Sequence, residues 1–171
     1  HEGIGCDERV DRNEGIDREH LQDYTQLEFY WANRDYNEQM KVLEKMYKEI
    51  IKKVCGGLAT SWQGKKISWG KKWPKLSYVA EFKKAAGLDP AKASEKELRA
   101  KAASLGLKAD GVSGKGRLMD LIFKHAVRPR MIQPCFLIDP PVEIEPLAKR
   151  SRRDENLVER VQVIACGTEL G

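Results

Sequence analysis

The sequence predicts an α+β fold: a mostly antiparallel sheet with helices on one face and a helical insertion. Short strand-like runs lie near both ends of the 171 residues, and a long amphipathic helix follows the first of them. Between these regions the pattern changes to short helices with their own start and stop signals. We therefore expect three parts: a hairpin, helix and strands of a core in residues 1–76, the insertion in 77–128, and returning core strands in 129–171.

The first element is predicted to be a β-hairpin. Gly3 and Gly5 favour a turn ahead of the first strand. That strand is expected to reach about Glu14, and a charged loop then leads to a return strand that ends at Tyr30 and Trp31.

A helix is predicted from about Glu38 to Val54, with Asn37 as its N-cap and Gly56-Gly57 as its end. Apolar residues recur at helical spacing and form one face, which we expect to belong to the core. Its members are Met40, Leu43, Met46, Tyr47, Ile50, Ile51 and Val54.

A hairpin-like segment follows, with its turn at Gln63-Gly64. Ile67 and Trp69 stand among lysines, so two interpretations compete. Interleaved aromatic and basic residues are typical of nucleic-acid contact, whereas the short length of the motif favours an exposed amphipathic strand.

The insertion is predicted to contain three helices. The first runs from Tyr78 to Ala86 and ends at Gly87, and the second opens with a capping box formed by Ser94 and Glu97. The third follows a glycine-rich stretch, and its inward-facing side chains are Leu118, Leu121 and Ile122.

The last part is predicted to return to the sheet. Residues 135–138 form a candidate buried strand, residues 142–144 continue the sheet, and residues 161–166 form a final strand that brings in Glu169. Residues 149–153 are a basic loop, interpreted as a solvated turn.

Composition argues against several classes of protein. Lysine and arginine total 31 against 26 acidic residues, a formal charge of +5 that is compatible with a nucleotide or nucleic-acid partner but is modest and spread out. No apolar run is long enough for a membrane span, and no segment resembles a signal peptide. Four scattered cysteines argue against structural zinc and favour reduced thiols in the cytoplasm. They are Cys6, Cys55, Cys135 and Cys166.

The charged hairpin carries the residues most typical of a binding site. Arg12 and Glu14 share one face of the first strand, and Glu28 and Tyr30 share one face of the second. An arginine beside a glutamate, facing a histidine and an aromatic ring, suits a purine nucleotide, because the guanidinium binds phosphate oxygens and the ring stacks. A solvated, salt-bridged surface is the alternative that the residues alone leave open.

Three sequence blocks in this order resemble class II lysyl-tRNA synthetases. The first is RNEGI at residues 12–16 with His20, Tyr24 and the LEFY of residues 27–30, which is similar to motif 2 of that class. The second comprises residues 133–138, 141–144 and 146–149, and the third extends from residues 158–160 to 167–171. The resemblance implies the antiparallel catalytic domain of the class, with a small helical insertion between motifs 2 and 3.

The resemblance also implies a role for each matched residue. Arg12, the catalytic residue, would hold the α-phosphate of ATP and the carboxylate of lysine. The other implied ATP contacts are Glu14 at adenine, His20 at the γ-phosphate and Tyr24 stacked on adenine; lysine would be held by Arg12, Glu28 and Tyr30, and Mg²⁺ by Glu169 and Gln162. The implied reaction is attack of the lysine carboxylate on the α-phosphorus, giving lysyl-adenylate and pyrophosphate, followed by transfer to tRNA(Lys).

Departures from the family pattern predict weak or no activity. Motif 1, which carries the family's homodimer interface, and motif 3, with its second ATP-binding arginine, are not found in these residues. Gln162 replaces a metal-binding carboxylate, and Asp11 and Val161 replace phenylalanine. The remaining departures are Glu8 for glycine, Glu145 for serine, and Asn33-Arg34 within an aromatic–small pair. We hypothesise an excised or engineered core whose newly exposed surface became polar, which an enclosed Asp11 would contradict. A natural fragment or a degenerate paralogue is the alternative that stays open.

Two classes of function stay open. One is a minimal enzyme that activates lysine, either for tRNA or, as a weaker alternative, for a protein acceptor. The other is a non-catalytic core that keeps the fold and ATP binding.

Overall fold

The computed structural model describes the backbone of residues 3–11, and residues 23–170 with their side chains. The chain forms two compact units, residues 1–38 and residues 39–171, which are described separately below. The three-part organisation expected from the sequence stays a prediction.

The first unit contains a β-hairpin. Strand β1 (Gly3–Asp11) pairs antiparallel with strand β2 (Asp23–Trp31), in a register that runs from Gly3 opposite Trp31 to Asp11 opposite Asp23. The predicted turn at Gly3 and Gly5 is therefore wrong, because pairing with β2 keeps this backbone extended. The predicted strand residues 12–14 and the charged loop lie outside the described residues.

Helix α1 (Tyr36–Cys55) begins two residues before its predicted start. Asp35 Oδ1 accepts hydrogen bonds from the backbone N–H groups of Asn37 (2.9 Å) and Glu38 (3.2 Å), so Asp35 rather than Asn37 is the N-cap. The helix ends before Gly56, which has a φ of 74°. This end was predicted from the glycine pair.

The apolar face of α1 is only partly buried, contrary to the prediction. Met40 is 2% exposed, whereas Ile50 is 49% and Val54 is 77% exposed. Helical periodicity places these side chains on one face, but it does not determine which turns of the helix other elements cover.

Strands β3 (Ala59–Trp62) and β4 (Lys65–Ser68) form the predicted hairpin around Gln63-Gly64. Both turn residues have positive φ, 47° and 76°, as a type I′ turn requires. Ile67 is 1% and Trp69 is 7% exposed, so the expected exposed strand is wrong. The ring of Trp69 packs against Trp73 with centroids 5.9 Å apart, which draws this end of the hairpin into the core.

A four-stranded sheet lies at the centre of the second unit. Its order is β5 (Lys75–Ser77), β6 (Cys135–Ile138), β7 (Val161–Ala165) and β8 (Thr168–Glu169). Strands β5 and β6 are parallel, and the other neighbours in this sheet are antiparallel. With the two hairpins, four of the five strand pairs in the described part of the chain are antiparallel, as expected for the α+β class.

Residues 142–144 do not continue this sheet, contrary to the prediction. They lie in a turn that follows an isolated bridge between Pro141 and Leu157. Two successive prolines, Pro140 and Pro141, lack the N–H groups that a ladder needs. The backbone N–H of Val142 instead donates to the carbonyl of Asn156 at 2.9 Å.

Three helices lie between β5 and β6 in the chain, as predicted: α2 (Tyr78–Ala86), α3 (Glu95–Ser104) and α4 (Lys115–Ile122). Gly87, with a φ of 71°, ends α2. The capping box is present, with the Ser94 backbone N–H donating to Glu97 Oε2 at 2.8 Å and the Glu97 N–H donating to Ser94 Oγ at 3.3 Å. Their interpretation as an insertion stays a prediction.

Helix α4 continues into a π-helical turn (Phe123–Val127) and a 3₁₀ turn (Arg128–Arg130). Leu118 and Ile122 are fully buried as predicted, and Leu121 is partly buried. The helices and the sheet share one apolar core, in which Tyr78 stacks on Phe123 with ring centroids 4.4 Å apart. No helix in residues 23–170 is long and apolar enough to cross a membrane.

Candidate functional site

One face of β2 carries a connected row of polar side chains. The Tyr24 hydroxyl donates to Gln26 Oε1 at 3.3 Å, and Gln26 Nε2 donates to Glu28 Oε1 at 2.6 Å. Strand alternation places Tyr30, which is 72% exposed, on the same face. Three residues predicted to bind ATP or lysine, Tyr24, Glu28 and Tyr30, therefore share one surface of the first unit.

The remaining residues of the predicted nucleotide site lie outside the described residues. These are Arg12, Glu14 and His20. The side chain of Asp11 also lies outside them, and the engineered core stays a hypothesis.

A cavity of about 430 Å³ lies in the second unit, between α4, the turn at residues 143–146 and strands β7 and β8. Both acidic and basic side chains line its wall, so it suits a polar or charged group. Its charged lining residues are Arg117, Asp120, Lys124, Glu143, Glu145, Arg160 and Glu169, and Gln162 is among the neutral ones.

The two residues predicted to bind metal meet in this cavity. Gln162 lies on β7 and Glu169 on β8. Gln162 Nε2 donates to Glu169 Oε1 at 3.0 Å. Since β7 and β8 are joined by the tight turn at Cys166 and Gly167, the sheet itself brings the two side chains together.

Arg160 extends the contact between Gln162 and Glu169 to a second acidic group, Glu145. Its Nη1 atom forms an ion pair with Glu145 Oε2, and its Nη2 atom lies 3.9 Å from Glu169 Oε1. Sequence reasoning did not assign Arg160 a role and noted Glu145 only as a departure. The two residues are fifteen positions apart across an irregular turn, which no periodic pattern links.

A close backbone approach fixes the opposite wall of the cavity. A Cβ atom at Gly116, on the first turn of α4, would lie 2.0 Å from the carbonyl oxygen of Glu143. Lys115 also pairs with Glu143, with a distance of 3.5 Å between Nζ and Oε1. Glycine at position 116 therefore allows α4 to pack directly against the turn that presents Glu145.

The basic loop at residues 149–153 is partly neutralised by its own neighbours. Lys149 Nζ lies 2.8 Å from Glu159 Oε2, and this hydrogen bond lowers the pKa of Glu159. Arg150 Nη1 donates to the carbonyl of Glu155 at 2.8 Å. These contacts are local to the loop, and the ion pair with Glu159 neutralises the charge of Lys149.

Comparison with known sequences identifies the family. The family model described as tRNA synthetases class II (D, K and N) matches residues 8–171. The chain belongs to this family. A lysine–tRNA ligase of Roseiflexus castenholzii is 37% identical over 164 residues, which are 95% of this chain and 34% of that protein. The lysine–tRNA ligase of Carboxydothermus hydrogenoformans is 34% identical over 160 residues, 93% of this chain and 33% of that protein.

A third relative, the lysine–tRNA ligase of a Thermotoga species, is 35% identical over 159 residues, 93% of this chain and 31% of that protein. The chain thus spans about a third of the length of these class II relatives. The resemblance found in the sequence blocks is confirmed at the level of the family.

The residues of this chain do not fit a Mg²⁺ ion held between Gln162 and Glu169. Mg²⁺ prefers a near-octahedral shell of oxygen ligands, whereas the Gln162 amide turns a hydrogen-bond donor towards Glu169. The guanidinium of Arg160 faces the same carboxylate, so the positive charge there already comes from the protein. In the described part of the chain, no group of three His, Cys, Asp or Glu side chains is arranged to hold a metal.

Proposed function

We propose that this chain forms part of a catalytic domain that activates lysine with ATP, for transfer to tRNA(Lys). The observation that carries the proposal is the family match over residues 8–171, together with relatives named lysine–tRNA ligase that are aligned over 93–95% of the chain.

The polar face of β2 supports lysine as the amino acid. A lysine ε-ammonium requires a carboxylate, and Glu28 offers one that is exposed and oriented by its hydrogen bond from Gln26. Tyr30 adds an exposed ring on the same face, with which the aliphatic stem of lysine can pack. Tyr24, four residues before Glu28, is the proposed stacking partner of adenine.

In the proposed reaction an oxygen of the lysine carboxylate forms a bond to the α-phosphorus of ATP. The bond from that phosphorus to the bridging oxygen breaks, and pyrophosphate leaves with the electron pair. Arg12 is proposed to hold the α-phosphate and the lysine carboxylate, with Glu14 at adenine and His20 at the γ-phosphate. The protein's contribution is to position the reactants and stabilise negative charge, so no covalent enzyme intermediate is required.

We propose ATP as the nucleotide, and we revise the expectation for the metal. Mg²⁺ enters this proposal as the ion that accompanies the phosphates of ATP, and no step depends on its being held by Gln162. Of the two residues predicted to bind the metal, Gln162 and Glu169, only Glu169 carries a carboxylate.

A non-catalytic core is the second candidate. The specific observation that favours it is the hydrogen bond between Gln162 and Glu169, because this contact joins two side chains that the family resemblance assigns to metal binding. In this alternative the domain keeps the fold and ATP binding without turnover.

Lysine-dependent exchange of labelled pyrophosphate into ATP distinguishes the two candidates. We expect measurable exchange from the 171-residue chain, and a loss of about 10²–10³ in rate for Arg12→Ala, the usual effect of removing one charged donor. Arg130→Ala is the matched control, because Arg130 is exposed and lies outside the proposed site. Absence of exchange at every protein concentration, with ATP binding retained, supports the non-catalytic core.

A further inference from the structure

Pairs of adjacent basic residues occur six times in the sequence. They stand at residues 52–53, 65–66, 71–72, 83–84, 149–150 and 152–153. Endoproteases with acidic specificity pockets recognise such pairs, because the carboxylates of the pocket bind guanidinium and ammonium groups. The bound segment has to be extended, so a pair held in folded structure becomes accessible only after that structure opens.

Five of the six pairs are held in place by the fold. Three of them lie inside helix α1, strand β4 and helix α2. Lys72 directly precedes Trp73, which is 2% exposed, so an extended segment there would pull a core side chain out. Arg150 forms an isolated β-bridge with Val158. Cleavage at any of these pairs therefore requires more than a local opening.

The sixth pair, Arg152-Arg153, lies in the loop between β6 and β7. Residues 152–155, which we call the loop tip, are exposed and belong to no helix or strand. Bridges at Leu157 and Val158 hold the base of the loop. Exposed loop tips built of polar residues are the preferred places for proteolytic cleavage of folded proteins.

In the part of the chain that the structure describes, the hydrogen bonds of the loop tip are local. The Arg153 backbone N–H donates to Ser151 Oγ at 3.2 Å, and Asp154 Oδ1 accepts from the Asn156 N–H at 3.0 Å. The remaining bonds of the tip also have partners within residues 150–159. Opening the tip therefore disturbs neither the sheet nor the apolar core.

We propose that the loop tip is a site of limited proteolysis, cut between Arg153 and Asp154 by an endoprotease specific for paired arginines. Water adds to the carbonyl carbon of Arg153 and the C–N bond to Asp154 breaks, which leaves a carboxylate on Arg153 and a protonated amino group on Asp154. Arg150, three residues before the cut, offers the protease a further basic side chain. This proposal does not rest on the proposed activation of lysine.

The two fragments stay assembled after the cut. The fragment of residues 154–171 contains β7 and β8, and β7 pairs with four residues of β6 in the other fragment. Val158 of the short fragment is 0% exposed, so its side chain is part of the core. The ion pair between Glu145 and Arg160 also joins the fragments. Proteolysis thus gives a two-chain protein in which each fragment supplies one wall of the cavity.

Limited digestion of the 171-residue chain with a subtilisin-type endoprotease specific for paired basic residues tests the proposal. We expect the first cut after Arg153, identified by mass spectrometry as fragments 1–153 and 154–171. Both masses should appear in one peak of size-exclusion chromatography, and they should separate in urea. The rate of the cut should stay constant at urea concentrations that leave the chain folded, because only the loop tip has to open.

The matched control removes the same two charges from another surface. Arg152→Gln with Arg153→Gln should slow the first cut at least about tenfold through the loss of charge-assisted hydrogen bonds to the protease. Lys83→Gln with Lys84→Gln in α2 should leave the rate unchanged. Urea unfolding of both double variants verifies that they are folded.

Three results would overturn the proposal. The first is an initial cut at another site, or none before the chain unfolds. The second is an equal rate for the two double variants. The third is a rate that rises with urea in parallel with global unfolding, because cleavage would then proceed through the unfolded chain. Fragments that separate without urea would overturn the assembled two-chain product.

Discussion

Gln162 and Glu169 form a hydrogen bond of 3.0 Å between amide Nε2 and carboxylate Oε1, across neighbouring strands β7 and β8. The family resemblance implies two carboxylates at these positions. In this chain the neutral Gln162 occupies one of these positions. The other is Glu169, whose Oε1 atom lies 3.9 Å from Arg160 Nη2. The Glu169 carboxylate therefore already has protein donors as its neighbours, the Gln162 amide and the Arg160 guanidinium.

Replacing Gln162 with glutamate should create a divalent-metal site. Two facing carboxylates repel each other and provide hard oxygen ligands, so a divalent cation relieves the repulsion. We expect Gln162→Glu to bind Mn²⁺ at least tenfold more tightly than the unmodified chain, as measured by electron paramagnetic resonance titration. Its unfolding temperature should fall in EDTA and rise on adding Mg²⁺.

The control for this prediction is Gln39→Glu, which adds the same charge to the first turns of α1. Its Mn²⁺ affinity should match that of the unmodified chain. If Gln162→Glu and Gln39→Glu bind Mn²⁺ equally, the hydrogen bond between Gln162 and Glu169 is not what keeps the metal out.

Replacing Glu145 with serine should release Arg160 for anions. Arg160 is held by Glu145 through Nη1, so its guanidinium is partly neutralised. We expect Glu145→Ser to raise the affinity for ATP in EDTA by roughly threefold to tenfold, measured by calorimetry, because a free guanidinium binds phosphate oxygens well. Glu159→Ser, which removes a partner of Lys149 outside the cavity, should leave this affinity unchanged. A similar gain in ATP affinity in both variants would mean that the loss of one negative charge, rather than the release of Arg160, causes the effect.

Alanine at position 116 should destabilise the chain strongly. The added Cβ would meet the carbonyl oxygen of Glu143 at 2.0 Å and its carbon at 2.7 Å, and both are backbone atoms. We expect Gly116→Ala to lower the free energy of unfolding by about 2–3 kcal/mol in urea titrations. Gly57→Ala is the control, since no heavy atom lies within 4 Å of its Cβ and its φ is not positive. A loss below about 0.5 kcal/mol for Gly116→Ala would contradict the close approach.

The buried thiol of Cys135 should make the chain less stable in alkali. Burial, and secondarily the charge of Glu81, raise its pKa from 9.0 to about 11. The thiol of the unfolded chain then loses its proton at lower pH than the folded one, so this contribution is complete below pH 9 and is lost as pH rises towards 11. A shift of two units corresponds to roughly 2–3 kcal/mol.

Urea unfolding at pH 7, 9 and 10.5 measures this loss, and Cys135→Ala should show a smaller decline than Cys55→Ala, whose cysteine is exposed. Tyr78 adds a decline of the same sign at higher pH, because burial also raises its pKa. An identical pH dependence in the two cysteine variants would rule out Cys135 as the source.

Local signals were sufficient to predict several elements of the fold. Ser94 and Glu97 form their capping box within four residues, and Gln63-Gly64 fits a type I′ turn by its own backbone preferences. The burial of Trp69 was missed because it depends on contacts with Thr60 and Trp73 that an alternating pattern does not encode. Residues 142–144 looked like a strand by composition, yet the two prolines before them prevent a continuing ladder.

Sequence reasoning also located some residues of the candidate site and missed others. The family resemblance located Gln162 and Glu169, and the sheet brings them within hydrogen-bonding distance. Arg160 and Glu145 were not predicted as a pair, since a long-range ion pair across an irregular turn leaves no signature in sequence spacing. The roles assigned to Arg12, Glu14 and Tyr24 at ATP stay predictions.

The side-chain amide of Gln133 bonds to backbone groups 67 and 65 positions earlier in the chain, at Lys66 and Ser68. During synthesis the β3–β4 segment therefore leaves the ribosome well before the residue that fastens it. We therefore expect the docking of this hairpin by Gln133 to be a late event of co-translational folding.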